Sequence, residues 1–400
     1  MGYALGLGVL GGLVGFALLW VITAGGGWYS PARPGWFGGH WWWVAVTGAG
    51  GLAVGLVRRL TRLPEQVPGL FEDLRAQYVA PALVPGTVAV SLVSLFGAAS
   101  LGPEKVLATV AGGAGTWLAR RRRLSDEDRA VVALGGIAGV FGGVFSSPVI
   151  VVMMILEVVR PGGRRFSATM VATLVASTIS FGIYFALAGA VFLGTYRVPA
   201  YPFEDWQLLA AVPLGLVAAV VAGATDASVS VARWLLGRLT IPRLATTTAA
   251  GVVLGLVGVA LPLTMFSGAD QLEAVLTGAP GLGLGLCAAI LAAKVLTYAI
   301  SQAAGFVGGP IFPWLFIGGT AGVVVHLAVP ALPLGLTFAC LLAAVLGTAA
   351  AAPFAMVLMT GFLTRAGALQ TAPILIAVVT AYLVVHGAAY LRAGRRRSRG

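Results

Sequence analysis

Ser100-Leu101-Gly102-Pro103-Glu104 and Gly308-Gly309-Pro310-Ile311-Phe312-Pro313 are short stretches in which glycine and proline interrupt long apolar runs. Each opens a stretch of helical composition, and a helix start presents N–H groups without intrahelical partners at the positive end of the dipole. Two such starts facing each other would hold an anion without a full positive charge, weakly enough to let it leave. Glycine permits the sharp entry and the close backbone approach. Pro103 suits a first helical turn, where its missing N–H costs nothing. Leu101, Gly102, Gly309, Ile311 and Phe312 are therefore the candidate anion-binding residues. Pro313 lies 210 residues after Pro103 in a chain of 400, so the two stretches fall at corresponding places in two halves. Interrupted segments placed in that way point to a transporter's binding site.

Glu104 is the candidate gate. A carboxylate in the first turn of such a helix competes for the N–H groups an anion would use, and would open the site by swinging out or taking up a proton. The alternative is a plain helix-start carboxylate paired with Lys105. Lys294, inside CAAILAAKVLTYAIS, either draws anions from the pore wall or snorkels to an interface. Glu157, beside Arg160 at the end of an apolar run, is either a charge-capped boundary residue or part of a proton path. Ionisable groups at membrane depth are functional candidates because burying them is costly. His40, His326 and His386 are scattered, and there is no HExxH, G-x-S-x-G or paired intramembrane aspartate, which argues against a membrane-embedded enzyme. No metal or other cofactor is expected, since Cys287 and Cys340 lie in apolar stretches at no ligand spacing.

The elements that must position these residues are membrane helices. Hydrophobic residues make up 59% of the chain and charged residues only 10%, against about a quarter in soluble domains, and mean hydropathy is +0.97. Ten to twelve apolar runs of about twenty residues, long enough to span a bilayer, are expected between residues 3–24 and 372–391. The first reads as a retained helix and not a signal peptide. The net charge of +12 does not indicate nucleic acid, because the arginines cluster at run ends: Arg58, Arg59 and Arg62; Arg120 to Arg123; Arg160, Arg164 and Arg165; and Arg392 to Arg399. Such clusters mark cytoplasmic ends, whereas the aromatic first loop from Trp28 to Trp43 marks the outer interface, which puts both termini in the cytoplasm. Fifty-seven glycines fit close helix packing. The polar stretches 64–77 and 267–273 are re-entrant or surface turns, and 195–207 is the linker between halves. An internal repeat is expected, matching Pro103 with Pro313 and the Pro148 turn with the Pro353 turn.

These segments resemble the chloride channel (CLC) family of anion channels and proton-coupled exchangers, and within it the divergent bacterial branch of YfeO-type ion-transport proteins. The resemblance rests on Ser100 to Glu104, Gly308 to Pro313, Phe145-Ser146-Ser147-Pro148 with the helix to Glu157, and Ala351-Ala352-Pro353. It implies an all-α polytopic membrane protein built as an inverted repeat of tilted and broken helices, 1–200 and 201–400. It also implies a homodimer in a bacterial-type plasma membrane, with one path per subunit for a small anion such as chloride. Against the family pattern, the gating glutamate falls on Leu101, the inner proton glutamate on Val158 beside Glu157, and the central serine of the inner loop on Glu65. The ion-contacting tyrosine has only an offset match in Tyr390. These departures favour passive permeation of chloride, with a proton-coupled exchanger as the alternative.

Overall fold

The computed structural model describes residues 2–26, 40–145 and 147–397; the side chains of 24–26 and 388–397 lie outside the description. The expected aromatic belt at Trp28, Tyr29 and Trp36, and the side chains of Tyr390 and of the C-terminal arginines, therefore lie outside the described residues. Among the described residues the chain is helical throughout: α1 (Gly2–Gly26), α2 (Trp42–Leu60), α3 (Leu70–Ala76), α4 (Val84–Phe96), α5 (Glu104–Arg121), α6 (Asp126–Val144), α7 (Pro148–Val159) and α8 (Arg164–Ala188) precede a linker. After it come α9 (Trp206–Arg238), α10 (Arg243–Ala260), α11 (Ala269–Ala303), α12 (Ile311–Ala328), α13 (Leu334–Ala350), α14 (Pro353–Thr364) and α15 (Thr371–Arg397). Helices satisfy every backbone group within the segment, which hydrocarbon demands.

Six of these helices, among the described residues, are long and apolar enough to cross a bilayer: α1, α8, α9, α10, α11 and α12. This is fewer than the ten to twelve spans expected from hydropathy. Breaks at glycine and proline cut several apolar runs into shorter apolar helices, such as Pro148–Val159, Leu334–Ala350 and Pro353–Thr364. Pro148 and Pro353 each sit in the first turn of their helices, where a missing N–H is harmless. The helices α7 and α14 that they start each end in a left-handed residue, Arg160 and Arg365. Gly283, at φ 72°, breaks α11 into two helices. Of the polar stretches, 64–77 contains the short helix α3, and 267–273 turns directly into α11.

The packing repeats between the halves. In the first, α5 packs on α6, α6 on α8, and α1 on both α6 and α8; in the second, α12 packs on α13, α13 on α15, and α9 on both α13 and α15. Across the halves, α2 packs on α10 so closely that a Cβ on Gly51 would strike the Thr247 carbonyl and a Cβ on Gly251 the Thr47 carbonyl. That mutual approach is the reason for glycine at both positions.

Where the interrupted stretches meet, the register becomes explicit. The Ser301 hydroxyl, on α11, accepts the Ser100 N–H at 3.1 Å, and the Ser94 hydroxyl, on α4, accepts the Val307 N–H at 3.1 Å. Ala98 and Gly305 both take positive φ, 60° and 95°. Pro103 and Pro310 are the N-cap residues of α5 and α12. Ser94 and Ser301, Ala98 and Gly305, and Pro103 and Pro310 each share the 207-residue separation of Glu104 and Ile311. The expected match of Pro103 with Pro313 is therefore corrected: Pro310 is the counterpart, because it is the residue that caps α12.

Ser94→Ala and Ser301→Ala should destabilise the protein to a similar extent, each by about 1–3 kcal/mol, because each leaves one buried N–H without an acceptor. Thermal unfolding in detergent measures this, and a melting temperature unchanged in both variants would contradict the reciprocal arrangement.

Candidate functional site

The two stretches bond directly to each other. Gly102 N–H donates to the Gly309 carbonyl at 2.8 Å, and Gly309 N–H donates to the Gly102 carbonyl at 2.7 Å, the one isolated β-bridge among the described residues. Leu101 N–H donates to the Ala99 carbonyl at 2.8 Å. Three of the five residues expected to offer amides to an anion thus have those amides engaged by backbone. Leu101, Gly102 and Gly309 shape the site, and the free donors at the α12 start are Ile311 and Phe312.

Those two donors already hold an anion belonging to the chain. Glu104, completely buried in the first turn of α5, reaches across the seam, and its Oε1 accepts N–H bonds from Ile311 and, at 3.3 Å, from Phe312. A carboxylate at a helix start is favoured by the orphan amides and the dipole together. Its Oε2 is buried without a hydrogen-bond partner among the described residues. A Cβ on Gly102 would collide with that Oε2, and a Cβ on Gly309 with the carboxylate carbon, so both glycines are needed to make room for it. Lys105 does not pair with Glu104; it forms a buried ion pair with Asp73 of α3.

Above the seam lies a cavity of about 990 Å³ whose lining includes Leu101, Pro103, Phe192, Tyr196 and Phe312. The Phe192 ring meets the Phe312 ring edge-on, with centroids 6.0 Å apart. Leu101 and Phe312 are themselves fully buried. The floor of this vestibule, where it approaches Glu104, is therefore apolar.

A family model described as voltage gated chloride channel matches residues 49–386. The chain belongs to that family. Two Salmonella relatives, from the schwarzengrund strain CVM19633 and the newport strain SL254, are named "Putative ion-transport protein YfeO". Each is 27% identical over 314 residues, which is 75% of this chain and 72% of the relative. Among solved structures, a slow cyanobacterial Cl−/H+ antiporter matches with a TM-score of 0.80 at 18% identity, over 97% of this chain and 94% of that one. A CLC-type fluoride/proton antiporter matches at 0.76 and 18%, over 96% and 94%. Both likenesses concern the fold, which is that of the CLC proteins.

Within this CLC fold the other expected residues lie away from the seam. Glu157 is a cross-helix cap: its carboxylate accepts N–H bonds from Phe354 at 2.9 Å and Ala355 at 2.8 Å, at the start of α14. Arg160 donates to the Glu157 backbone carbonyl at 3.3 Å and to the Tyr382 hydroxyl at 3.1 Å. Glu65, at the position of the family pattern's inner-loop serine, is exposed and forms an ion pair with Arg243. Arg58 fixes this turn by donating to the Pro64 and Glu65 carbonyls, and it ties it to the second stretch through the Gly305 carbonyl at 2.9 Å. Lys294 does not snorkel; it is fully buried. Among the described residues no group of three His, Cys, Asp or Glu is placed to hold a metal.

Sequence reading missed Asp73, Phe192 and the two capping serines. The serines had a signal, since Ser94 precedes Gly102-Pro103 by the same interval at which Ser301 precedes Gly309-Pro310. Asp73 and Phe192 carry none, because each acts through a contact between distant segments.

Glu157→Ala should cost about 1–2 kcal/mol through loss of the α14 cap while leaving the reversal potential for anions unaltered by pH. Unfolding in detergent and current measurements at two pH values test this. An unchanged melting point would remove the capping role.

Proposed function

We propose that this CLC-family protein carries a small inorganic anion, chloride first, by passive permeation, and that Glu104 is its gate. The observation that carries this reading is the Glu104 carboxylate seated on the Ile311 and Phe312 amides, a tethered anion in the place a free one would take. When the side chain leaves, those amides and the α12 start are open to an ion entering past Leu101, Phe192 and Phe312. Among the described residues no lysine or arginine forms an ion pair with the carboxylate there, so an ion bound in its place would be held by N–H groups and dipole, and would be released readily. Passive transport is supported by the engagement of Glu157 as a helix cap and by Leu101 in the loop position where the family pattern has its gating glutamate. The chain acts in this reading as two membrane repeats, 1–200 and 201–400, as a homodimer in a bacterial plasma membrane with both termini cytoplasmic.

Proton-coupled exchange is the second reading, favoured by one feature. The unpartnered, buried Oε2 of Glu104 is a place where a proton would be retained. The names of the two antiporters of the same fold give it a precedent. Transport chemistry of either kind needs no enzymatic step.

Purified protein in liposomes should pass chloride and exclude a cation control. Glu104→Gln should raise the flux by about tenfold or more, since a charge-assisted hydrogen bond contributes about 1.5–3 kcal/mol and every 1.4 kcal/mol is tenfold. Leu101→Trp and Phe312→Trp should block it. Flux unaltered in all three variants would remove the site, and a reversal potential that moves with a pH gradient at fixed chloride would replace passive permeation with exchange.

A further inference from the structure

Three helices of the first half start at one end of the fold. A Cβ on Gly8 of α1 would meet the Ala176 carbonyl of α8, and one on Gly12 would meet Ser180 and Ile183, so α1 and α8 run in the same direction. The start of α6 is tied to the start of α8 by the Arg165–Glu127 ion pair, at 3.2 Å. Between the three starts lies a groove of about 590 Å³, a volume within the range of small-molecule clefts. Tyr3, Leu7, Leu124, Val132, Ala168 and Val171 supply most of its apolar wall. Leu7, Ala119 and Val132 form an apolar cluster of their own beneath it, with Leu124 packed on them. On α6 the lining extends from Asp128 to Gly135, about 10 Å of helix. Because α1 and α8 are both long and apolar enough to cross a bilayer, their shared end stands at headgroup level, and the groove leads from there into hydrocarbon.

The rim of the groove is cationic. Arg164 opens α8 and is exposed, and Ser167 and Ala168, three and four residues on, line the groove from the same helix face. Two acids of the α6 start are already neutralised, Asp126 by Arg129 at 3.0 Å and Glu127 by Arg165. Asp128, which also lines the groove, accepts the Ser125 hydroxyl at 2.8 Å. Arg164 has no ion-pair partner among the described residues, and neither have Arg122 and Arg123, in the turn that brings Leu124 to the wall. The unpaired arginines thus outnumber the one unpaired acid, and the positive dipole ends of α1 and α8 stand at the same level.

We propose that this groove binds an anionic phospholipid, with an acyl chain along the apolar wall and the phosphate on Arg164. A basic pocket between membrane helices at headgroup level is suited to that chemistry. A zwitterionic lipid has the same chain but brings its own cation to the arginines, so the rim discriminates against it. The site is separate from Glu104 and does not depend on which ion the protein carries.

The test uses the full chain purified in detergent, with the melting temperature followed as lipid is added. Dioleoyl-phosphatidylglycerol should raise the melting temperature saturably, and dioleoyl-phosphatidylcholine should raise it far less. Glycerol phosphate, which has the phosphate without the chain, should have no effect. Arg164→Gln should weaken phosphatidylglycerol binding by about tenfold, the loss of one charge-assisted hydrogen bond. Ala168→Trp, which fills the groove from an exposed position, should remove the effect of the lipid. Arg238→Gln is the control, because Arg238 is an exposed arginine at the end of α9, stacked 3.9 Å from the centre of the Trp234 ring, and should leave binding unchanged. Equal responses to the two lipids would overturn the proposal, as would equal weakening by Arg164→Gln and Arg238→Gln, which would reduce the site to general surface charge. A folded Ala168→Trp that still responds to phosphatidylglycerol would place the chain elsewhere and overturn it too. If Ala168→Trp does not fold, the comparison of Arg164→Gln with Arg238→Gln decides.

Discussion

Two hydrogen bonds between Gly102 and Gly309 hold the rest of the site in place, because they join the backbone leading into α5 directly to that leading into α12. A bridge between two loops at membrane depth satisfies four polar groups that hydrocarbon would otherwise leave unpaired. It also fixes the distance between two helix starts more tightly than side-chain packing would. The adjoining amides are taken by the hydroxyls of Ser94 and Ser301, each from the other half. Once these are assigned, the Ile311 and Phe312 amides are left to the Glu104 carboxylate. The placement of Glu104 follows from the backbone pairing, and the two glycines follow from the placement of Glu104.

A second regularity is that, among the described residues, two of the four buried charged side chains, and half-buried Glu157 with them, are answered by backbone. Glu104 is received by the start of α12 and Glu157 by the start of α14, while Lys294 is received by two loop carbonyls. Lys105 with Asp73 is the exception, a buried pair whose formation binds α3 to α5. Helix starts and strained turns carry partial charges that cannot titrate or diffuse away. A membrane protein that uses them needs few ionisable partners, and the low charged fraction of 10% is consistent with that economy.

The membrane class, the two interrupted stretches and the candidacy of Glu104 were legible in the sequence, since hydropathy, glycine and proline act locally. The register was not read correctly, because proline recurs twice in Gly308 to Pro313 and only the backbone conformation shows that Pro310 caps α12. Among the described residues fewer helices reach full spanning length than hydropathy led one to expect, for a related reason. Hydropathy measures how apolar a run is, and does not reveal that Pro148 or Pro353 begins a helix of only twelve residues. The surroundings of Glu65 and Lys294 were not legible because they come from elsewhere in the chain: Arg243 for the first, and the 264–266 turn for the second. Local sequence contains no record of such partners. The same is true of Leu101, Gly102 and Gly309, whose amides looked available until the loops were seen to use them.

Moving the carboxylate from the loop to the helix alters what can be coupled to what. A glutamate at position 101 would stand on the vestibule floor, where one motion would serve both to clear the path and to expose the acid to water. Here the two tasks belong to different groups. Leu101, Phe192 and Phe312 form an apolar obstruction at the floor, while Glu104 occupies the amides beneath it. A proton arriving at Glu104 would weaken its hold on Ile311 and Phe312 but would not move the apolar rings, and displacing the rings would not protonate the acid. The backbone between them is held by the Gly102–Gly309 bridge, which opposes one motion being carried into the other. Under the proposed reading, two barriers that open independently give permeation that protons can modulate without a fixed ratio of protons to anions.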